Sequence, residues 1–333
     1  MQLDKKFELI TRDVEEIVTG EELGDLLKKE KFSAYCGYEP SGNIHFGHAL
    51  TIRKLIDLQK AGGRAIVLLA DLHALLNHKG TLEDVRAIAE YNRHCFIALG
   101  LDPARTEFVL GSEFQLKDRY VLDVFRMATD TTLLRARRSM AEIARRLEDP
   151  DVAQVIYPLM QAVDIAHLKV DMAVGGIDQR KVHMVAREKL PVLGYNKPVC
   201  IHVPLLHGLD GEVKMSSSKG NYISVDDDPL LLKSKMLKAF CPPKIVKDNP
   251  VIEYVEHFVF PELGVMKINR AAKHGGSIEI KDAAELRRNY TSGQLHPADL
   301  KASLTEALIQ VLAPVREYFQ KYPEARLANK PQF

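Results

Sequence analysis

The groups in this chain best suited to chemistry on a phosphate lie in two distant segments. One is Pro40-Ser41-Gly42-Asn43-Ile44-His45-Phe46-Gly47-His48, and the other is Lys214-Met215-Ser216-Ser217-Ser218-Lys219-Gly220-Asn221. At a spacing of three, His45 and His48 share one face if a helix begins there. A helix start presents unpaired backbone N–H groups and a positive dipole end, so a triphosphate placed on it meets backbone donors and both imidazoles. Gly42 and Gly47 let a nucleotide approach the backbone closely. The second segment is a Gly-bounded polar loop with two cations and three hydroxyls, suited to close over a leaving pyrophosphate. Singly, the first string also fits two ordinary helix-start histidines, and the second fits a solvated surface turn. Together they point to ATP chemistry at a carboxylate.

Such groups need a scaffold, and the surrounding residues supply one. Ser33–Tyr38 is a short apolar, aromatic-rich run of strand length that ends at a Pro-Ser-Gly turn. From His48 to Leu58 apolar residues recur at spacings of three and four, which predicts a helix packed on a sheet. Strand-like runs at 33–38, 65–70, 106–110, 170–174 and 199–204 alternate with amphipathic segments. This pattern predicts an α/β fold, a Rossmann-like parallel sheet flanked by helices, with ligands at the carboxyl ends of the strands. Thr19 with Glu22 and Thr81 with Asp84 have capping-box spacing and mark helix starts. Residues 118–169 have a mostly helical pattern that interrupts the alternation, as an insertion between two halves of a nucleotide-binding fold would. After Asp226-Asp227-Asp228-Pro229 the pattern is nearly all helical. Two domains are therefore expected, 1–228 and a mainly α-helical 229–333.

A chain of 333 residues with 46% hydrophobic content can bury a substantial core. The formal net charge of +1 excludes a uniformly basic surface. A nucleic-acid partner would use local patches such as Arg135, Arg137, Arg138, Arg145 and Arg146, which equally fit a solvated helix face. Cys36, Cys95, Cys200 and Cys241 are scattered. They suggest neither a zinc site nor a disulfide framework, and a reducing cytoplasm is the expected compartment. No segment approaches the length of a membrane span or a signal core.

These segments resemble the class I aminoacyl-tRNA synthetases, and within them the archaeal and eukaryotic type of tyrosyl-tRNA synthetase. The resemblance covers nearly the whole chain. Besides the two segments above, it is carried by Tyr35-Cys36-Gly37-Tyr38-Glu39, Leu69-Ala70-Asp71-Leu72-His73-Ala74, Arg135-Ala136-Arg137-Arg138-Ser139-Met140, Tyr157-Pro158-Leu159-Met160-Gln161 and Val174-Gly175-Gly176-Ile177-Asp178-Gln179-Arg180-Lys181. Two positions depart from the class pattern. Phe46 stands where a smaller aliphatic residue is usual, and Ser217 stands where many members carry a second lysine. The second departure leaves Lys214 and Lys219 as alternatives for the main charge on pyrophosphate, and Lys214 is preferred.

The resemblance implies a two-step reaction in which tyrosine and ATP, with Mg2+ on its phosphates, form an adenylate that a tRNA then captures. It implies catalytic roles for His45, His48, Lys214 and Ser217, and nucleotide contacts from Gly42, Gly47, Met215, Ser216 and Ser218. For tyrosine it implies Tyr35 and Asp164 at the phenol, Tyr157, Gln161 and Gln179 around the amino group and ring, and Glu39 beside the substrate. His73, at a strand's carboxyl end with Asp71, is a further site candidate. Tyr157, Gln161 and Asp164 are spaced by four and three, so one helical face could present all of them. Asp178 could cap the helix that follows it while Gln179 faces the ligand. For tRNA the resemblance implies Arg138, Arg180 and Met184 at the acceptor end, with His274, His296 and Asp299 near the anticodon. His296-Pro297 also reads as a plain helix start. The insertion is expected to carry a homodimer contact.

Three other readings compete. A tryptophanyl enzyme of the same fold would need an acceptor for an indole N–H, whereas Tyr35 with Asp164 suits a phenol. A nucleotidyltransferase using His-x-Gly-His would not carry an anticodon-like C-terminal domain. A non-catalytic RNA-binding relative would have lost the histidines and lysines kept here.

Overall fold

The computed structural model describes residues 2–141, 151–213, 215 and 220–327. Apolar runs form a six-stranded sheet of β1 (Glu16–Val18), β2 (Ser33–Tyr38), β3 (Arg64–Leu69), β4 (Thr106–Leu110), β5 (Met172–Gly176) and β6 (Val199–Val203). Their order is β1-β6-β5-β2-β3-β4. All neighbours are parallel except β1, which runs antiparallel to β6 at one edge. From β2 the chain builds outward through β3 and β4, and later through β5 and β6 on the other side. The carboxyl ends of β2 and β5 therefore flank the point where the winding reverses, where such sheets bind ligands.

The expected strands at 33–38 and 106–110 are observed with those bounds. The strand expected at 65–70 begins one residue earlier, that at 170–174 sits two residues later, and that at 199–204 ends at Val203. β1 was not anticipated, because three residues inside a charged stretch carry no readable alternation. Thr81 and Asp84 form the full capping box expected of them. Thr19 accepts from the Glu22 amide, but the Glu22 carboxylate turns instead to Arg187 and Lys197. The insertion contains helices Asp118–Thr129, Leu133–Ser139 and Ala153–His167.

By packing, the chain forms two compact units, one of residues 1–42 with 51–204 and the other of 43–50 with 205–332. In the first, Tyr35, Ile66, Tyr120, Met127, Val163 and Ala173 belong to one core cluster. The second is mainly helical and, among its described residues, carries the antiparallel pair β7 (Met266–Ile268) and β8 (Ile278–Ile280). Pro229 opens the helix Pro229–Lys238, with Asp228 accepting from the Leu230 and Leu231 amides. Among the described residues, no helix is long and apolar enough to cross a membrane.

Candidate active site

In the first unit, a polar cluster gathers at the carboxyl ends of β2, β3 and β5. The helix Ala153–His167 presents Tyr157, Gln161 and Asp164 from one face, as their spacing requires. Asp164 is 0% exposed. Its Oδ1 accepts from Gln115 Nε2 at 2.7 Å and lies 2.8 Å from the Tyr120 hydroxyl, which is also 2.9 Å from the Met160 carbonyl. Among the described residues its Oδ2 has no hydrogen-bond partner. Burial raises the Asp164 carboxyl to about 7, against the opposing pull of Gln115 and Tyr120.

Opposite Oδ2, His73 Nε2 stands 3.6 Å away and is likewise without a partner. This is not an ion pair, because burial lowers His73 to about 4 and leaves the ring neutral near pH 7. Gln115 Nε2 also reaches His73 Nδ1 at 3.4 Å, which fixes the remaining ring proton on Nε2. Buried Tyr35 lies close enough for the Asp164 charge to raise its hydroxyl, second only to burial itself. Gln161 Nε2 donates to Gln179 Oε1 at 3.1 Å, while Gln161 Oε1 is buried with no partner among the described residues. Glu39 is a clamp: it accepts from the Tyr157 hydroxyl at 2.6 Å and from Asn77 Nδ2 at 3.1 Å. The Tyr157 ring meets His73 edge-on at 4.6 Å.

Gln115 and Tyr120 were not among the residues expected in the site. One signal for Gln115 was present: it follows the carboxyl end of β4 by a few residues, where site residues concentrate. Gly111 makes room for it, since a Cβ there would meet Gln115 Oε1 at 2.4 Å. Two expectations need correction. Asp71 faces structure rather than a ligand, as its carboxylate accepts from the Leu72 and Ser112 amides and from the Ser112 hydroxyl. Asp178 does not cap the helix Arg180–Lys189, whose N-cap is Gln179 with no side-chain cap bond. It is buried in the short turn Ile177–Gln179.

In the second unit, the two phosphate-directed segments share one framework. Val225 N donates to the Ile44 carbonyl at 2.9 Å, and His45 bridges Ser224 in antiparallel fashion. Asn43 Nδ2 reaches the Tyr222 hydroxyl at 3.3 Å. The His45 and His48 rings lie 4.0 Å apart at the start of the helix Phe46–Lys60. His45 Nδ1 accepts from the Gly47 amide and His48 Nδ1 from the His45 amide. With Nδ1 accepting, each ring carries a proton on Nε2, a nitrogen able to donate to a phosphate oxygen. Gly47 makes room for this, because a Cβ there would come within 3.0 Å of the His45 ring. Gly42 holds φ at 144°, a backbone state that favours glycine. Phe46, expected to affect packing only, is buried against Tyr254 and Phe258 with centroids at 5.1 and 4.3 Å. Tyr254 in turn contacts the sulfur of buried Met215 at 3.6 Å, so one aromatic cluster joins both segments. Lys214, Ser216, Ser217 and Ser218 lie outside the described residues, as do Lys219, Arg145 and Arg146.

Of the candidate RNA contacts, Arg138 is exposed near the end of the helix Leu133–Ser139, and Met184 is half-buried against the core. Arg180 is 46% exposed and its Nε pairs with both carboxylate oxygens of Glu16. His296 caps the helix Pro297–Val311 through the Ala298 amide, with Asp299 in its first turn. His274 ends the short turn Ala272–His274, and its side chain lies outside the description.

The pattern shared by tRNA synthetases class I (W and Y) matches residues 27–313. A protein named tyrosine–tRNA ligase from Methanopyrus kandleri is 55% identical over 318 residues, covering 95% of this chain and 98% of that one. The solved structure of tyrosyl-tRNA synthetase complexed with L-tyrosine from Archaeoglobus fulgidus is 57% identical, with a TM-score of 0.91, covering 95% of this chain and 99% of that one. A tryptophanyl-tRNA synthetase from Aeropyrum pernix, 23% identical with a TM-score of 0.75 over 94% of this chain and 86% of that one, shares the fold. With a buried polar cluster at the sheet's winding reversal and paired imidazoles at a helix start, this chain belongs to the class I tRNA synthetases of the tryptophan and tyrosine group.

Proposed function

We propose that this chain attaches L-tyrosine to its tRNA at the expense of ATP. The observation that carries the choice of amino acid is Asp164 Oδ2, a fully buried carboxylate oxygen with no partner among the described residues. A phenolic hydroxyl donating to it satisfies the acceptor. Phenylalanine would leave it stranded at a cost of about 1–3 kcal/mol or more. The name and bound amino acid of the A. fulgidus relative support the same choice. Tyr35 is the second partner of the phenol, with His73 beside it. Gln161 and Gln179 take the amino group, and Tyr157, steadied by Glu39, closes over the ring.

The tyrosine carboxylate attacks the α-phosphorus of ATP in line, and the bond to the bridging oxygen breaks to release pyrophosphate. A ribose hydroxyl at the tRNA's 3′ end then attacks the acyl carbon, and AMP leaves. No protein nucleophile is required. His45 and His48 donate to the phosphates, Lys214 and Ser217 follow the charge onto pyrophosphate, and Met215, Ser216 and Ser218 complete the contacts with Gly42 and Gly47. Mg2+ accompanies the triphosphate, held mainly by substrate and water.

Arg138, Arg180 and Met184 receive the acceptor end, while His274, His296 and Asp299 receive the anticodon, the task of residues 229–333. Residues 1–228 carry the chemistry. The enzyme is a cytoplasmic homodimer joined through the insertion at 118–169. Exchange of labelled pyrophosphate into ATP, measured with tyrosine, phenylalanine and tryptophan, tests the proposal. Tyrosine alone should support rapid exchange, and equal rates with phenylalanine would refute it. A faster rate with tryptophan would favour the indole-specific alternative.

A further inference from the structure

Four side chains close a ring between the sheet edge and the helix Arg180–Lys189. Arg180 Nε donates to Glu16 Oε1 and Oε2 at 2.9 and 2.7 Å. Glu16 lies on β1, directly across the antiparallel pair from His202 of β6, whose Nδ1 is 3.0 Å from Glu16 Oε2. His202 Nε2 is 3.0 Å from Nδ1 of His183, and the two rings stack. His183 is three residues beyond Arg180 on the same helix face, which completes the ring.

The protons in this ring can be assigned. A carboxylate only accepts, so His202 must carry its proton on Nδ1; its Nε2 is then an acceptor, and His183 donates from Nδ1. Both imidazoles are buried, which pulls His202 down and His183 to about 3, so both are neutral. Glu16 is thereby fixed from behind by two buried side chains. In front, among the described residues, it engages only the Nε of Arg180. The two terminal nitrogens of that guanidinium make no hydrogen bond to any described residue and form a planar two-pronged donor edge.

We infer that Glu16, backed by His202 and His183, is a positioning residue that presents the terminal nitrogens of Arg180 to a phosphate of the tRNA acceptor end. This rests on the reading of Arg180 as an acceptor-end contact. An arginine on a half-exposed helix start samples many rotamers. Tying its Nε to an anchored carboxylate removes that freedom before RNA arrives, at the cost of some net positive charge. The adenylate-forming step involves no RNA and should not sense the ring.

The test compares Glu16→Ala and Glu16→Asp with the parent enzyme in two assays on the same preparations. In Glu16→Ala, kcat/KM for tRNA in aminoacylation should fall about tenfold, mostly through KM, while tyrosine-dependent pyrophosphate exchange stays within about twofold. Glu16→Asp should recover part of the loss. Glu16→Ala combined with Arg180→Ala should be no worse than Arg180→Ala alone. Unchanged aminoacylation in Glu16→Ala, an equal fall in both assays, or additive losses in the double variant would each overturn the inference. If Arg180→Ala impairs aminoacylation and Glu16→Ala does not, only the role of Glu16 is lost. If Arg180→Ala aminoacylates normally, the reading of Arg180 fails and this inference falls with it.

Discussion

The tyrosine contact proposed for Asp164 comes at the expense of stability. In the native state it holds its proton up to about pH 7, whereas an unfolded aspartate releases it near the ordinary value of 3.8. Between these values the native state binds more protons than the unfolded one. The stability this gives is fully present below about pH 4 and is lost as pH rises through 7, a loss of at most about 4 kcal/mol. Asp164→Asn removes the cost of the buried charge while keeping Oδ1 for Gln115 and Tyr120. We expect this variant to unfold at higher urea concentration than the parent at pH 8, with the gap closing toward pH 4, while tyrosine-dependent exchange falls at least about tenfold through loss of the charged acceptor. A variant less stable than the parent at pH 8 would contradict this. The residues around Asp164 were legible where the signal was local: Tyr157, Gln161 and Asp164 declare a shared face through helical spacing alone. Gln115 and Tyr120 were not, because they reach Asp164 across sequence separations of 49 and 44 residues, which no periodicity records. Asp71 was misjudged because the Ser112 amide and hydroxyl that claim it arrive from another strand's end.

Among the elements, the helix Phe46–Lys60 shows what amphipathic pattern can and cannot convey. Its spacing predicted one buried face, yet Thr51, Lys54, Asp57 and Gln59 are buried along with its apolar residues. Thr51 pairs with the Tyr38 hydroxyl and Gln59 with Asp102 and Thr106, while the N-terminal segment covers Lys54 and Asp57. Arg12 donates to both oxygens of Asp57 at 3.0 and 2.5 Å, and Lys54 Nζ reaches the Arg12 carbonyl at 2.6 Å and Asp57 at 3.2 Å. Burial lowers Lys54 against the pull of Asp57. Asp57→Ala would leave two cations facing each other without their shared anion, so a loss of about 3 kcal/mol is expected from urea unfolding followed by circular dichroism. A loss below about 1 kcal/mol would mean that the cluster is effectively solvated. The inner strands β3 and β6 were legible because their nearly continuous apolar, buried runs suit a doubly covered parallel sheet, whereas edge strand β4 showed itself through Phe108, Val109 and Leu110 despite Glu107. β1 escaped notice because its place is set by pairing with β6, not by its own three residues.

At the scale of the whole molecule, residues 118–169 carry apolar side chains that are exposed among the described residues. On the helix Asp118–Thr129, Tyr120, Val124 and Met127 face inward while Leu122 and Phe125 are 57% and 63% exposed. Leu133 and Leu134, opening the next helix, are also exposed. A second copy related by two-fold symmetry would cover this patch with the same patch, and full burial of each such side chain contributes about 1.5–3 kcal/mol. The same helix carries Tyr120, whose hydroxyl holds Asp164. Covering its outer face would therefore also steady one wall of the proposed tyrosine pocket. Leu122→Glu with Phe125→Glu should give a monomer by sedimentation equilibrium and, if the coupling through Tyr120 operates, raise KM for tyrosine in exchange severalfold while leaving KM for ATP nearly unchanged. A monomer with an unaltered KM for tyrosine would separate assembly from the pocket, and a persistent dimer would move the contact elsewhere on the molecule.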